Sequence, residues 1–237
     1  MNSLLEAALL YAQRGWYVFP LAPGKKVPLA RLAPHGVKNA SIVESIIKEW
    51  WEAEPSANIG IAAGVSKLVI FDVDVKEGRN GEAVWQRLLA EARVQQPATW
   101  VVNTPSGGKH IYFASAEALA PSEGKWGKGL DVRAGESYVV APPSTTPDGI
   151  YKPNTRLIFT NIAKLPAALL AKFQQQPLPA TTTVVSAINE KDLPAEVARA
   201  REALSKLAVT RADGYQQWIE VGMSLRELGE EIGRAHV

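Results

Sequence analysis

The chain has 237 residues, of which 46% are hydrophobic, and this is enough to bury the core of one good-sized domain. A fibrous or disordered protein is therefore excluded. The absence of cysteine excludes a disulfide framework, a cysteine-ligated zinc site and a thiol nucleophile, and fits a reducing cytoplasm. The net charge of +2 does not by itself indicate a nucleic-acid partner. The apolar N-terminal run carries Glu6 and lacks a basic leader, and no apolar stretch reaches membrane-spanning length, so neither a signal peptide nor a membrane span is expected.

Capping signals predict two helices in the first fifty residues. Ser3 and Glu6 have capping-box spacing and predict a helix over residues 3–14, and Ser41 and Glu44 repeat this spacing before a second helix. The β-formers and turn residues around them predict, in chain order, a strand at 16–20, an irregular loop at 22–28 and a strand at 58–61.

The strongest strand pattern lies at residues 68–75. Its upstream half is apolar on both faces, so this strand is expected to be central in its sheet. Helical periodicity returns over residues 81–93. Four further strands are predicted downstream, at 99–103, 110–113, 130–133 and 138–141.

The C-terminal part of the chain has a different composition. Residues 174–192 are polar, contain proline and threonine, and lack periodicity, which predicts a linker. The main domain therefore spans residues 1–173. Two amphipathic helices are predicted beyond the linker, so residues 193–237 form a partial helical domain.

The acidic pair Asp72 and Asp74 ends the central strand. Residues two apart on a strand share a face, so the two carboxylates repel each other. A bound divalent cation would offset this repulsion, because hard carboxylate oxygens suit Mg²⁺ or Mn²⁺. A pair of such ions can activate an attacking oxygen and stabilise a leaving oxygen. Aspartates that cap a neighbouring helix or turn are the alternative, and the spacing alone leaves both open.

Two further polar motifs follow the acidic pair. A glycine-rich turn at Gly107 and Gly108 exposes backbone amides that can approach phosphate oxygens, and it leads into His110. An ordinary hairpin turn with a half-buried histidine is the alternative. Alternation puts Asp131 and Arg133 on one strand face, which fits a metal ligand beside a phosphate contact. A surface ion pair is the alternative.

The order Asp-x-Asp, Gly-Gly-Lys-His and Leu-Asp resembles the three motifs of the archaeo-eukaryotic primase superfamily. More narrowly, the chain is similar to the bifunctional DNA primase/polymerase (Prim-Pol) domains of phages, plasmids and mobile elements, over about residues 4–172. The tail resembles the start of the helical primase C-terminal domain that often follows Prim-Pol. Further segments occur in the family's order, at 15–21, 35–40, 50–51, 58–61 and 138–144.

The resemblance implies an α+β, two-module catalytic core with a mixed or antiparallel sheet and flanking helices. The implied activity is template-directed nucleotidyl transfer on a single-stranded or primed DNA template, with dNTPs or NTPs as substrates, in the cytoplasm. A helicase domain or protein is a further implied partner. Two Mg²⁺ or Mn²⁺ ions are implied at Asp72, Asp74 and Asp131, and triphosphate contacts are implied at His110, Ser106, Gly107, Gly108, Lys109 and Arg133.

Other interpretations of the same residues stay open. Lys25 and Lys26, in the irregular loop, are weaker candidates for template or triphosphate contacts, and solvated loop lysines are the alternative. The segment around Asp72 and Asp74 also resembles the nucleophile strand of haloacid-dehalogenase-type phosphatases, in which the first aspartate attacks phosphorus. A non-catalytic, DNA-binding replication-initiation module is the third interpretation.

Overall fold

The computed structural model describes residues 4–76, 78–117, 119–122, 124–154 and 162–175. The chain divides into two units between residues 177 and 178, and all described residues belong to the first. The predicted tail helices, and all but the first two residues of the predicted linker, lie outside the described residues. The described helices are all too short or too polar to cross a bilayer.

The described residues form four α-helices, ten strands and one 3-10 turn, consistent with the predicted α+β class. In chain order the elements are α1 Leu4–Gln13, β1 Val18–Leu21, the 3-10 turn Gly36–Asn39, α2 Glu44–Ala53, β2 Asn58–Ala62, β3 Leu68–Val73, α3 Gly81–Ala92, β4 Val101–Asn103, β5 Lys109–Ala114, β6 Leu130–Arg133, β7 Tyr138–Ala141, β8 Thr145–Thr146, β9 Gly149–Ile150, β10 Lys152–Pro153 and α4 Ala167–Gln175.

These strands make two sheets and a small hairpin. One sheet has three strands in the order β1-β2-β7, the other has five in the order β10-β4-β5-β3-β6, and β8 pairs with β9. Every pairing between these named strands is antiparallel, which decides between the predicted mixed and antiparallel arrangements. The strand β3 has a neighbour on each side, so its predicted interior place is confirmed.

The five-stranded sheet has two differently packed faces. Val69 and Phe71 of β3 point to one face, where they share a core with residues of α3 and α4. Leu68 and Ile70 point to the opposite face and belong to a second core, which also contains residues of the three-stranded sheet, α1 and α2. Alternation continues this second face to Asp72. The polar end of β3 therefore borders the core between the two sheets.

The capping-box prediction at Ser41 is wrong. Helix α2 begins at Glu44 with Val43 as its N-cap, and no side chain caps it. The Ser41 backbone instead pairs with Val18 of β1, and its hydroxyl accepts a hydrogen bond from the Val43 N–H at 3.0 Å. Because the Ser41 backbone pairs with β1, Ser41 does not serve as the N-cap of α2. The other predicted cap, Ser3, lies outside the described residues.

Candidate active site

Register aligns four residues in one row across the five-stranded sheet. Asp72 of β3 lies opposite His110 of β5 on one side and opposite Asp131 of β6 on the other. Val102 of β4 continues the row beyond His110. Directly opposite residues share a face of a sheet. Residues about forty and sixty positions apart in the chain, counted from Asp72, are thereby brought side by side.

The buried histidine of this row is held close to the central aspartate. The Nε2 atom of His110 lies 3.5 Å from an oxygen of Asp72, and the His110 side chain is only 6% exposed. Burial lowers the pKa of His110, Arg133 and Lys26 lower it further through their positive charges, and Asp72 opposes the shift. The histidine is therefore neutral at neutral pH. Its buried Nδ1 makes no hydrogen bond to any described residue.

One guanidinium group joins the two aspartates of the row. The same terminal nitrogen of Arg133 lies 3.4 Å from Asp72 and 3.2 Å from Asp131. The other oxygen of Asp131 accepts a hydrogen bond from the backbone N–H of Gly124 at 2.8 Å. Two carboxylates opposite each other repel, and the arginine offsets that repulsion. This contact confirms that Asp131 and Arg133 share one strand face, and it is the ion pair named as the alternative to a metal ligand beside a phosphate contact.

The second aspartate of the Asp-x-Asp motif has a different cation. Strand β3 ends at Val73, and the Asp74 N–H donates to the carbonyl of Gly129 at 2.8 Å. The Asp74 carboxylate pairs with Arg79 at 3.0 Å. No cluster of three or more His, Cys, Asp or Glu side chains within the described ranges is arranged to hold a metal ion. A metal site built on Asp72, Asp74 and Asp131 stays a prediction.

Most of the chain matches one known family. Residues 8–168 match the family model of the bifunctional DNA primase/polymerase, N-terminal domain. The chain belongs to the Prim-Pol family. No curated protein matches it. Membership in this family indicates a DNA primase/polymerase that acts on a DNA template with nucleotide substrates.

The glycine-rich turn of this Prim-Pol domain lies at the edge of the row. The Thr104 N–H donates to the Gly108 carbonyl at 2.9 Å, and the Gly107 N–H donates to the Thr104 carbonyl at 3.1 Å. The Gly107 amide is thus engaged within the turn, whereas the sequence suggested a bare amide. The Ser106 and Thr104 hydroxyls are 3.1 Å apart. A side chain at Gly108 would collide with the backbone carbonyl of Val73, so glycine is needed there.

Lys109 points away from the row. Neighbouring residues on a strand face opposite sides, and the Lys109 ammonium group lies 2.6 Å from Glu82 at the start of α3. It therefore lies on the face of the sheet that packs against α3, opposite to His110. The other predicted members of the nucleotide site lie in the turn or on the His110 face.

Sequence patterns did not reveal the partners that surround the row. Arg79 and Glu82 pair with Asp74 and Lys109, and both stand in a region where no motif marks them. Tyr151, on the segment between β9 and β10, places its ring 5.8 Å from the His110 ring. The one sequence signal for Tyr151 is an aromatic residue that follows a strand pattern, and this signal does not show that its ring lies beside His110.

Proposed function

We propose that this Prim-Pol domain catalyses template-directed nucleotidyl transfer. The 3′-hydroxyl of a primer, or of an initiating nucleotide, attacks the α-phosphate of the incoming nucleotide, a new phosphodiester bond forms, and pyrophosphate leaves. The observation that carries the proposal is the row of His110, Asp72 and Asp131 with Arg133 beside it. This row places carboxylates next to a neutral hydrogen-bonding group and a cation, the set of groups that a nucleotide triphosphate and its counter-ions require.

The two aspartates of the row fit a divalent cation. Their carboxylates face each other across neighbouring strands and already share one positive group, Arg133. Hard oxygen ligands suit Mg²⁺ or Mn²⁺. We propose that Asp72 and Asp131 hold the ions, with Asp74 as the third ligand. When bound, two such ions supply activation of the attacking hydroxyl and charge stabilisation for the leaving oxygen.

The remaining side chains orient the triphosphate. His110 is neutral at neutral pH and carries a single N–H, so it donates one hydrogen bond without adding charge. The Ser106–Gly108 turn lies next to it, because Gly108 precedes the strand that carries His110. Arg133 supplies the cation on the opposite side of Asp72. Together these groups bind the β- and γ-phosphates while the aspartates hold the reacting end.

We further propose that the domain replicates the DNA of a phage or other mobile element, together with a helicase domain or protein in the cytoplasm. This part rests on the resemblance of the chain to Prim-Pol domains of such elements, and of its tail to a helical primase C-terminal domain. A longer chain or an operon partner with helicase activity would support it. Purification of the intact replication complex from its host is the direct test.

The activity is tested by incubation with single-stranded DNA, Mg²⁺ or Mn²⁺ and labelled dNTPs or NTPs, with and without an annealed primer. We expect template-dependent products from the wild type and none from Asp72→Asn or Asp131→Asn. Glu44→Gln on α2 is the matched control, since it removes an exposed carboxylate paired with Lys48. Full extension by Asp72→Asn, or hydrolysis of simple phosphomonoesters without DNA, would refute the proposal.

A further inference from the structure

The backbone of Asp74, directly after β3, is held on both sides. The Asp74 N–H donates to the Gly129 carbonyl at 2.8 Å, and the Asp74 carbonyl accepts a hydrogen bond from the Gly81 N–H at 2.9 Å. A side chain at Gly81 would collide with the carbonyls of both Gly129 and Asp74, so the three backbone segments lie in close contact. Any change of partner at Asp74 is therefore left to its carboxylate.

Arg79 lies in the segment between β3 and α3 and reaches back to Asp74. Its backbone N–H donates to the Lys76 carbonyl at 3.1 Å. The next residue, Asn80, caps α3 by accepting a hydrogen bond from the Ala83 N–H at 3.0 Å. The Nη1 atom of Arg79 lies 3.0 Å from a carboxylate oxygen of Asp74. A short turn that ends in a helix cap therefore presents the guanidinium group to Asp74.

This ion pair leaves the guanidinium group incompletely bonded. The hydrogen bond joins one nitrogen of Arg79 to one oxygen of Asp74, whereas an arginine can hold a carboxylate through two parallel N–H groups. The Nε–H of Arg79 is buried and has no hydrogen-bond partner among the described residues. A buried N–H group without an acceptor destabilises the arrangement that contains it. The contact is thus weaker than an arginine–carboxylate pair can be, and a better partner for Asp74 can replace it.

Each of the three carboxylates proposed as metal ligands contacts an arginine. Arg133 lies beside Asp72 and Asp131, and Arg79 lies beside Asp74. The three aspartate side chains are 25%, 27% and 25% exposed, so water screens their charges only in part. With these partners in place, the acidic side chains of the described residues do not form a metal-binding cluster. The two guanidinium groups thus supply the positive charge that the carboxylates require.

We propose that Arg79 competes with the divalent cation for Asp74. The inference rests on the proposed function, in which Asp74 is the third ligand, and adds a residue that sets the affinity of the site for its ion. Without the ion, Arg79 neutralises Asp74. When an ion binds, the Asp74 carboxylate exchanges the guanidinium group for the ion, and the fixed Asp74 backbone limits the change to side chains. Arg79 acts through Asp74 and is therefore a positioning residue.

The test measures Mn²⁺ binding to the full chain without nucleotide, from the EPR signal of the free ion. Arg79→Met keeps a long side chain but removes the competing charge. We expect it to bind Mn²⁺ about threefold to tenfold more tightly than the wild type, the effect of one partly exposed ion pair. Lys76→Met is the matched control, because it removes a positive charge from the same turn, where Lys76 pairs with Asp148 at 3.6 Å. This control should bind Mn²⁺ like the wild type.

A second comparison shows whether Arg79 acts through Asp74. In an Asp74→Asn background the arginine has no carboxylate to release, so the further change Arg79→Met should not tighten Mn²⁺ binding. A measurement on the wild type needs no change at the site. The NMR signal of the Arg79 Nε–H, assigned by its absence in Arg79→Met, should shift when Mg²⁺ is added. The signal of Arg31, which pairs with Glu54, should stay in place.

Unchanged Mn²⁺ affinity in Arg79→Met, with normal binding by the wild type, would overturn the inference and leave the proposed function in place. Equal tightening in Arg79→Met and Lys76→Met would show a general effect of charge and would also overturn it. The same holds if Arg79→Met tightens binding equally with and without the Asp74 carboxylate. A wild type that binds no Mn²⁺ would overturn the proposed function, and the inference would fall with it.

Discussion

Arg133 offers the sharpest test of the electrostatics of the row. Replacing it by methionine keeps a long side chain but removes the cation that Asp72 and Asp131 share. The two carboxylates then oppose each other across β3 and β6. We expect Arg133→Met to be less stable than the wild type when no divalent ion is present, and to recover stability when one is added.

The size of the loss follows from Coulomb's law. Two unit charges about 6 Å apart interact with about 3 kcal/mol at an effective dielectric constant of about 20. Asp72 and Asp131 are 25% and 27% exposed, so water and salt screen part of this repulsion. A loss of about 1–3 kcal/mol in the free energy of unfolding remains, which lowers the Tm by roughly 3–10 °C for a domain of this size.

The assay is thermal unfolding in EDTA and then over a Mn²⁺ titration. A ligand that binds only the folded state raises its Tm, and an ion at Asp72 and Asp131 no longer competes with a guanidinium in Arg133→Met. The variant should therefore gain more Tm from Mn²⁺ than the wild type. Arg31→Met is the control, because Arg31 pairs with Glu54 at the surface, where ion pairs contribute little.

Two results would refute this reasoning. If Arg133→Met and Arg31→Met lost equal Tm in EDTA, the guanidinium would not be offsetting the carboxylate repulsion. If Mn²⁺ raised the Tm of wild type and Arg133→Met equally, the two aspartates would not be the ion's ligands.

Two further predictions concern the glycine-rich motif. Burial raises the pKa of Glu82, but hydrogen bonds from Lys109 and Gln86 outweigh it and hold that pKa below its usual 4.5. The Lys109–Glu82 pair therefore stabilises the fold above pH 4.5, and this stabilisation is lost as the pH falls through the pKa of Glu82 in the folded state. Urea unfolding should show Lys109→Met to be less stable than the wild type at neutral pH and equally stable in strong acid. Its affinity for dNTPs should be unchanged, and weaker dNTP binding at normal stability would contradict this. Gly108→Ala should cost about 1–3 kcal/mol of stability, because the added carbon meets the Val73 carbonyl, and should abolish extension. Ser106→Ala, in the same turn, is the control for stability only, and a normal Tm for Gly108→Ala would exclude the clash.

Local patterns in the sequence were sufficient for most regular elements. The predicted strands 130–133 and 138–141 coincide with β6 and β7, and the predicted strand at 58–61 is β2 with one added residue. Alternation and turn residues encode such segments directly. Helix α4 was not predicted, and it extends to Gln175, two residues into the predicted linker. The two-residue strands β8, β9 and β10 were also not predicted, since so short a segment carries no periodicity.

The candidate site shows the same division. The order of motifs singled out Asp72, His110 and Asp131, and the antiparallel register then placed them in one row. Periodicity cannot supply that register between strands distant in the chain, because it depends on how the loops close and how the cores pack. The sequence also could not tell that Lys109 would pair with Glu82 on the far face.

Motifs and periodicity were enough to indicate the family, the α+β class and the residue types of the candidate site, because both are properties of residues close together in the chain. Which charged groups meet depends on the tertiary structure. Arg133 lies between two aspartates, Asp74 pairs with Arg79, and Lys109 pairs with Glu82. These pairings depend on the angles and distances between helices and strands. Packing of the cores sets those angles and distances, and they cannot be read from a local sequence pattern.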